Sequence, residues 1–239
     1  MKSCLTAFIL IAVLTSCDNP FNKTVNGNGN ITTNERQLSS FKEIKCAGSY
    51  TVELTQGDQS VIKIETDENI QSYITTDVNG EELNIRTKED VNLRPTNKIK
   101  LYITTKKLEG FKLTGSGDIS TTNKFNGGDF LELDISGTGN MHFDINTPSI
   151  NSSISGSGNI FLTGETKDSK ISIAGSGNYN AENLMSENTK VRIAGSGDAH
   201  LFADSTLDID IAGVGNVYYK GDASVTQNIA GSGKIKKIE

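Results

Sequence analysis

The sequence predicts an all-β fold, a parallel β-helix (β-solenoid) with about 18 to 22 residues in each coil. Three observations support this fold class: one short phrase recurs at a nearly fixed spacing, apolar residues in the phrase occupy alternate positions, and the composition favours strands and turns. Glycine is frequent, with 24 residues in 239, whereas there are only 3 prolines and no tryptophan. Such a composition suits short strands joined by tight corners.

The recurring phrase is apolar-x-apolar-small-Gly-x-Gly-polar-apolar, and seven copies of it lie between residues 111 and 235. The first glycines of the copies are Gly115, Gly137, Gly156, Gly175, Gly195, Gly213 and Gly231. Successive copies begin 22, 19, 19, 20, 18 and 18 residues apart. A period near 20 residues is typical of stacked coils, because one unit of that length cannot bury its apolar face alone.

Apolar and polar residues alternate through each copy. The position two before the first glycine is Leu or Ile in every copy, whereas the position three before it is always polar. Because successive side chains of a strand point to opposite faces, the pattern predicts strands with one buried face. The glycines fall on the buried side, where they allow a close backbone approach or supply a positive φ. A dinucleotide-binding loop would need a third glycine and a following helix, and the phrase has neither.

Weaker copies extend the pattern toward the N-terminus. The segment EIKCAGSYTVEL repeats the phrase around Gly48, and VNGNGNIT repeats it around Gly27. Between Gly48 and Gly115 alternation persists without the phrase, and Asn79-Gly80 predicts a tight turn between two strands. We therefore predict a solenoid over residues 25–239, with irregular coils over 25–110 and seven regular coils over 111–239.

Two points of this architecture have alternatives. One antiparallel hairpin in each copy would give a meander or a sandwich, but it would need a mid-repeat turn as regular as the G-x-G pair, and none is visible. No window shows a 3.6-residue apolar pattern bounded by caps, and the segment AENLMSENT (181–189) comes nearest to one. We interpret it as a loop that contains at most one helical turn.

The N-terminal segment predicts export and lipid attachment. Residues 1–16 combine Lys2 with the apolar run LTAFILIAVL and a small-residue cleavage site, as in a lipoprotein signal peptide. Leu14-Thr15-Ser16-Cys17 resembles a bacterial lipobox, which implies that Cys17 is acylated. We expect residues 17–24 to be a polar tether, and two or three acyl chains on Cys17 to hold the protein at a membrane.

Candidate chemical sites are few. Cys46 stands where the clear copies have Leu or Ile, which favours a buried packing cysteine, and no disulfide partner is left once Cys17 carries lipid. His142 and His200 occupy equivalent outward positions three coils apart, a separation of about 14 Å that excludes a shared metal ion. The formal net charge is −6 and no basic stripe indicates nucleic-acid binding. We expect no cofactor, no metal and no catalytic residues.

The position three after the first glycine predicts an exposed polar ladder. It holds Asp118, Asn140, Asn159, Asn178, Asp198, Asn216 and Lys234 in successive copies. Stacked amide side chains can bond to one another along the axis of such a fold. Calcium-binding β-rolls stack aspartates at a nine-residue repeat instead. The column therefore favours an amide ladder over a calcium site.

Copies of nearly uniform length favour a display or binding surface over catalysis, since β-helix enzymes build their grooves from long insertions. The competing hypothesis is a carbohydrate-binding or carbohydrate-cleaving β-helix, in which Tyr218, Tyr219, Phe125 or Phe130 would stack on sugars. The ending KIKKIE places Lys237 on the apolar side of the last copy. We interpret this ending as a charged cap that blocks strand addition.

The lipobox, the NGNGNITT opening, the FKEIKCAGSYTVEL block and the serial IAGSGN copies together resemble the head GIN domain family, described as "putative auto-transporter adhesins". The resemblance extends over residues 25–239. It implies a right-handed parallel β-helix, a cell-envelope location at the outer membrane or cell surface, and adhesion to an unidentified protein or glycan. It supplies no site residues, because the shared pattern consists of structural glycines and aliphatic side chains.

Overall fold

The computed structural model describes residues 23–239. The predicted signal peptide (1–16), the lipid site at Cys17 and most of the predicted tether (17–24) lie outside these described residues. The described chain is a β-solenoid of about six turns, which confirms the predicted fold class. Within residues 23–239 the single helical element is a 3₁₀ turn, Gln71–Tyr73.

Strands account for most of the described chain. In chain order they are β1 (Lys23–Asn26), β2 (Ile31–Gln37), β3 (Glu43–Gly48), β4 (Thr51–Gln56), β5 (Val61–Asp67), β6 (Ile74–Asn79), β7 (Glu82–Thr87), β8 (Val91–Arg94), β9 (Lys100–Thr105), β10 (Gly110–Gly115), β11 (Asp118–Thr121), β12 (Phe125–Asn126), β13 (Leu131–Gly137), β14 (Asn140–Gly156), β15 (Asn159–Gly175), β16 (Asn178–Gly195), β17 (Ala199–Phe202), β18 (Thr206–Gly213), β19 (Val217–Lys220), β20 (Ser224–Gly231) and β21 (Ile235–Lys237).

Successive coils stack in parallel with their G-x-G phrases in register. Gly48 pairs with Gly115, Gly115 with Gly137, and the same pairing continues to Gly231. The copy around Gly48 is therefore the first phrase-bearing coil of the stack. The alternative of one antiparallel hairpin in each copy is wrong, because the strands that carry the phrases pair only in parallel.

Burial follows the predicted alternation. The aliphatic residue two before the first glycine is at most 2% exposed from Leu113 to Ile211. The equivalent Ile229 of the last copy is 38% exposed, since no strand of the described chain lies beyond β20 at that position. Each coil therefore covers the apolar side chains of the coil before it, as expected for a repeat fold.

The two glycines of each phrase are required for different reasons. The first glycine has a positive φ, for example 130° at Gly175, which a side chain rarely adopts. The second glycine admits a close backbone approach: a Cβ atom at Gly117 would lie 2.7 Å from the carbonyl oxygen of Tyr50 in the adjacent coil. Both roles considered from the sequence therefore apply: the first glycine meets both requirements, since a Cβ atom at Gly175 would overlap the carbonyl oxygen of Gly156, and the second meets the close approach alone.

A second corner lies midway through the coils of β14, β15 and β16, and buried hydroxyl groups mark it in these three coils. Thr147, Thr166 and Ser186 are at most 8% exposed and lie in one column. The hydroxyls of Thr147 and Thr166 donate to the carbonyl oxygens of the residues two positions later, at 3.4 and 3.3 Å. The chain bends at these bonds, and the alternating set of buried positions shifts by one residue. In β14, for example, odd-numbered residues are buried before the corner and even-numbered residues after it.

The interpretation of residues 181–189 as a loop is wrong. They belong to β16, which pairs with β15 on one side and with β17 and β18 on the other. Leu184 and Ser186 are buried although the surrounding segment is polar. Ladder hydrogen bonds to both neighbours stabilise this strand in spite of its weak apolar pattern.

The N-terminal end of the solenoid carries a cap of strands β2, β5, β6, β7 and β9, so the predicted irregular coils over 25–110 are only partly parallel coils. Strands β7 and β9 pair in parallel with β3 and β4, and β6, β5 and β2 then pair antiparallel. The predicted tight turn is present between β6 and β7, where Gly80 has φ 64°. Gly27 does not start a copy, because β1 pairs with β8 in a separate two-stranded sheet and Ile31 is 37% exposed.

A buried carboxylate ties this cap together. Asp67 is 0% exposed, and it accepts hydrogen bonds from the Gly29 amide at 2.8 Å and from the amide and hydroxyl of Thr96 at 2.9 and 2.7 Å. Burial by itself would raise the pKa of Asp67, but these hydrogen bonds outweigh burial and lower the pKa below its ordinary value. The carboxyl group also occupies the space of a Cβ atom at Gly27, which explains that glycine.

Candidate binding face

The strand segments that follow each G-x-G corner present one outward sheet face, which we call the ladder face. It is formed by the residues three, five and seven positions after the first glycine of each copy. Parallel register places equivalent residues of successive coils side by side, about 4.8 Å apart. The ladder face therefore consists of columns that run along the solenoid axis.

The column nearest the corner contains the first residues of the predicted polar ladder. Asn140 donates from its amide to Asp118 at 3.0 Å, Asn159 donates to Asn140 at 2.9 Å, and Asn178 donates to Asn159 at 3.1 Å. The hydrogen bond from Asn140, together with the Lys98 ammonium group 3.3 Å away, lowers the pKa of Asp118. The ladder thus begins at a carboxylate and continues through amides.

From Asn178 onward the backbone joins the ladder, since the N–H of Asn178 also donates to Asn159 Oδ1 at 3.1 Å. The backbone N–H of Asp198 donates to Asn178 Oδ1 at 3.0 Å. Asn216 donates to Asp198 Oδ1 from its backbone at 2.7 Å and from its side chain at 2.9 Å. The backbone N–H of Lys234 donates to Asn216 Oδ1 at 3.1 Å. All six predicted ladder residues from Asp118 to Asn216 are half-buried in one column. Their role as a binding site stays a prediction.

The second column carries stacked rings. His142 lies against Phe161 with ring centroids 4.3 Å apart and planes 1° apart, and His200 lies against Tyr218 at 4.6 Å and 21°. Asn180 is in register with both Phe161 and His200 and therefore separates the two ring pairs. Both histidines were predicted to share one outward column. Their stacking partners were not predicted, although each partner stands at the same offset in the next copy.

A charged group lies beside the second ring pair. Glu182 Oε1 is 2.9 Å from His200 Nδ1, and Glu182 Oε2 is 3.6 Å from Lys220 Nζ. The register between β15 and β16 shifts here, because Phe161 pairs with Asn180 while Thr163 pairs with Asn183. This β-bulge gives β16 one extra residue and leaves Glu182 and its neighbour both at the surface.

Of the four aromatic residues considered for stacking on sugars, two pack in or against the core and two face outward, as alternation predicts. Phe125 is buried at 6% exposure and Tyr219 packs against the core, whereas Phe130 is 42% exposed and Tyr218 belongs to the ring column. Only Tyr218 therefore lies on the ladder face beside other rings.

Cys46 lies in the core and takes no part in this face. Its side chain is 0% exposed, and burial raises the pKa of the thiol to about 12. Such a thiol stays protonated at neutral pH and is a poor nucleophile. The structure therefore agrees with a packing role for this cysteine.

Two concavities lie away from the ladder face. A groove of about 330 Å³ at the second corner is lined by residues that include Asn151, Lys170 and Lys190. A cavity of about 450 Å³ lies beside Phe41, between the cap and the first coil, with Lys106 among its lining residues. Neither concavity contains a residue of the polar ladder.

Within residues 23–239, no cluster of three or more His, Cys, Asp or Glu side chains is arranged to hold a metal ion. None of the helical structure in this range has the length and apolar character needed to cross a membrane.

Comparison with known proteins gives one family and several solved structures. The family model described as "Putative auto-transporter adhesin, head GIN domain" matches residues 40–223. A "putative lipid binding protein" from Parabacteroides distasonis ATCC 8503 is 30% identical, with a TM-score of 0.77, 91% of this chain and 100% of that chain covered. No curated protein sequence matches.

Two further structures share the fold. A "putative adhesin" from Bacteroides fragilis NCTC 9343 has a TM-score of 0.84 at 24% identity and covers 90% of this chain and 100% of its own. A "putative adhesin" from Parabacteroides merdae ATCC 43184 has a TM-score of 0.73 at 25% identity, with 90% and 99% covered. The descriptions of the family and of these structures name adhesion or lipid binding, and none names an enzyme.

Proposed function

We propose, because this chain belongs to the family described as "Putative auto-transporter adhesin, head GIN domain", that it is a non-enzymatic adhesin or binding scaffold of the cell envelope, held at a membrane by lipid on Cys17. The observation that supports a binding role is the unbroken ladder of hydrogen bonds from Asp118 to Lys234. It holds a polar outward surface rigid over most of the length of the solenoid.

Rigidity is what makes such a face suitable for adhesion. Binding costs free energy when side chains must be ordered, and a side chain already held by its neighbours loses less freedom on contact with a ligand. In the ladder each amide is fixed by the residues of the adjacent coils. A ligand that extends along the axis would meet the same polar groups about every 4.8 Å.

The proposed anchor is consistent with the start of the described chain. Five residues lie between Cys17 and Lys23, the first residue of β1, so six residue-to-residue steps join the two. That length spans at most about 20 Å when extended. An acylated Cys17 would therefore keep the capped end of the solenoid close to the membrane, with the ladder face free along the rest of the molecule.

The anchor is tested by metabolic labelling with a radioactive fatty acid in a bacterial host. We expect the wild-type chain to be labelled and to fractionate with membranes, and Cys17→Ala to lose both properties. Cys46→Ala is the matched control, because the thiol of Cys46 is buried, and it should keep its label. Label retained in Cys17→Ala would contradict the lipid site.

The adhesive role is tested on the same cells. Protease treatment of intact cells should remove the wild-type chain, and cells that display it should adhere to an immobilised panel of matrix proteins and mucin glycans better than cells without it. Protection from protease together with unchanged adhesion would contradict a surface role.

A carbohydrate-binding or carbohydrate-cleaving β-helix is the second candidate, and the outward ring column favours its binding form. Aromatic and histidine rings on a flat sheet offer apolar faces between hydrogen-bonding groups, an arrangement typical of small-ligand sites. Shortened polysaccharide in the supernatant would establish cleavage and would contradict the non-enzymatic proposal. Retention of intact polysaccharide would support binding alone.

A further inference from the structure

The ring column of the ladder face has a gap at Asn180, and we infer that this gap is a subsite for one neutral sugar ring of a glycan. The inference rests on the proposed binding role and names its ligand chemistry. Phe161, Asn180 and His200 are equivalent residues of three successive coils. The gap is thus bounded on both sides by rings.

The width of the gap fits one ring. Phe161 and His200 are two coil steps apart, about 9 to 10 Å at about 4.8 Å per step. The stacking distances already present in this column are 4.3 and 4.6 Å, so a ring stacked on both boundaries needs about 9 Å. A sugar ring therefore fits once the Asn180 side chain turns outward.

Each bounding ring is stacked on one face, and the strand register places the gap on the opposite side of both rings. The other face of Phe161 is covered by His142, and the other face of His200 is covered by Tyr218. An aromatic face carries negative charge density and attracts the weakly positive C–H groups on the face of a sugar ring. The gap therefore supplies two apolar contacts in opposed positions.

Polar groups surround the gap where sugar hydroxyls would point. Among residues 23–239, the Asn180 side chain has no hydrogen-bond partner, in contrast to the neighbouring ladder amide of Asn178. Glu182 offers carboxylate oxygens beside His200, and the β-bulge that follows Asn180 brings this side chain to the surface. Bulges commonly re-aim side chains next to binding sites.

Charge selects a neutral sugar over an acidic one. The Glu182 and Asp198 carboxylates lie on either side of the ring column, and Lys220 Nζ, 3.6 Å from Glu182, offsets one of these two charges. One negative charge is left in excess beside the column, and the whole chain carries a formal net charge of −6. Acidic sugars would be repelled by this field. Hydroxyl groups, by contrast, would donate hydrogen bonds to the same carboxylates.

A purely structural stack predicts a different residue at this position. An aromatic residue at 180 would join the two ring pairs into one column and would add cross-strand contacts, which stabilise sheets. Asn180→Phe therefore separates the two explanations. It should keep or raise the melting temperature, and it should close the subsite.

The test measures binding of the full chain to immobilised neutral oligosaccharides (β-glucan, mannan, xylan and chitin fragments) and to oligogalacturonate as the acidic probe. We expect at least one neutral probe to bind, and Asn180→Phe and Phe161→Leu each to weaken that binding at least tenfold. Phe130→Ala is the matched control, because Phe130 is an exposed phenylalanine outside the column, and its binding should be unchanged.

Three results would overturn the inference: no neutral probe binds, the acidic probe binds in preference, or both variants bind as the wild type does. These results are distinct from failure of the proposed function. Cells that stay adhesive and protease-accessible without sugar binding would retain the adhesin role and reject the subsite. Sugar binding by a chain that is not exposed on cells would retain the subsite and reject the adhesin role.

Discussion

The G-x-G corner shows at single residues why the repeat is so strict. Gly175 has φ 130°, and a Cβ atom added there would overlap the carbonyl oxygen of Gly156 in the adjacent coil. A side chain there would meet both a strained backbone conformation and a backbone atom that cannot move without its own coil. The corner therefore tolerates one residue type.

We predict that Gly175→Ala lowers the free energy of unfolding by about 2 to 4 kcal/mol, because strain and overlap add at this position. Thermal or urea unfolding measures the loss. Ala174→Ser is the matched control, since Ala174 is exposed and the equivalent residue of the preceding coil is Ser155. Equal stability of Gly175→Ala and wild type would contradict the close approach.

Asp67 is the residue whose ionisation matters most for the cap. Its pKa is lowered in the folded state from an ordinary value of 3.8, so its charged form stabilises the fold above that value. The contribution is lost as pH falls through the lowered pKa. The window for this loss therefore lies below pH 3.8.

We expect Asp67→Asn to destabilise the protein by about 1 to 3 kcal/mol at pH 7, because the amide cannot accept all three hydrogen bonds. The variant should also lose part of the decline in stability of the wild type below pH 3.8. Asp58→Asn, at an exposed loop position, serves as the control. Parallel stability–pH curves for wild type and Asp67→Asn would refute the assignment.

At the scale of strands, the ladder joins elements through side chains as well as backbone. Asn159 accepts hydrogen bonds from the backbone and the side chain of Asn178 and donates one to Asn140, so it links β14, β15 and β16. Such a residue stabilises two strand pairings at once. Removal of the Asn159 side chain should therefore weaken both the β14–β15 and the β15–β16 pairing.

Asn159→Leu should lower the free energy of unfolding by about 2 to 3 kcal/mol, because it removes these bonds and leaves half-buried partners unsatisfied. Asn151→Leu makes the same chemical change at an exposed position that lies outside the ladder, and should cost less than about 0.5 kcal/mol. Chemical unfolding compares the two. A similar cost for both variants would show that the ladder adds no stability.

The strands also show where sequence patterns fail at this scale. Residues 181–189 were predicted as a loop, but they belong to β16. In this strand a bulge inserts one extra residue and the alternating set of buried positions shifts, so no regular alternation is visible in the sequence. Periodicity detects a strand only while alternate residues keep facing the core. The buried hydroxyls at the second corner carried a usable signal, since Thr147, Thr166 and Ser186 occupy one column.

At the scale of the whole molecule, the two ends of the described stack differ. The N-terminal end is covered by antiparallel strands, of which β2 is the outermost on its side. At the other end β21 pairs with β19, and no strand in the described chain pairs with its second edge. Lys237 at this edge bonds to Asp222 at 2.9 Å.

We predict that Lys236→Val combined with Lys237→Val promotes association between molecules, because an uncharged edge strand readily accepts another strand. Light scattering as a function of protein concentration measures this association. The control is Lys167→Val with Lys170→Val, which removes the same charge from β15, a strand paired on both sides. If both double variants stay monomeric, the charged ending does not act as a cap.

The sequence by itself determined the coil period, the buried positions, the parallel stack and the membership of the ladder column. It did so because each residue in a parallel repeat stacks on its own equivalent, so that aligning the copies also aligns the neighbours in space. The role of Cys46 followed from the same alignment. No long-range contact between unlike segments was needed for these predictions.

Only the tertiary structure decided the antiparallel cap, the place of Gly27 beside Asp67, the continuity of β16 and the gap between the ring pairs at Asn180. Each of these depends on contacts between segments that have no repeated counterpart, or on a one-residue shift that repetition cannot reveal. The hydrogen bonds of a buried carboxylate, such as Asp67 with Thr96, come from chain segments far apart in sequence. Their energies are fixed by folding of the whole chain, and a local pattern carries no record of them.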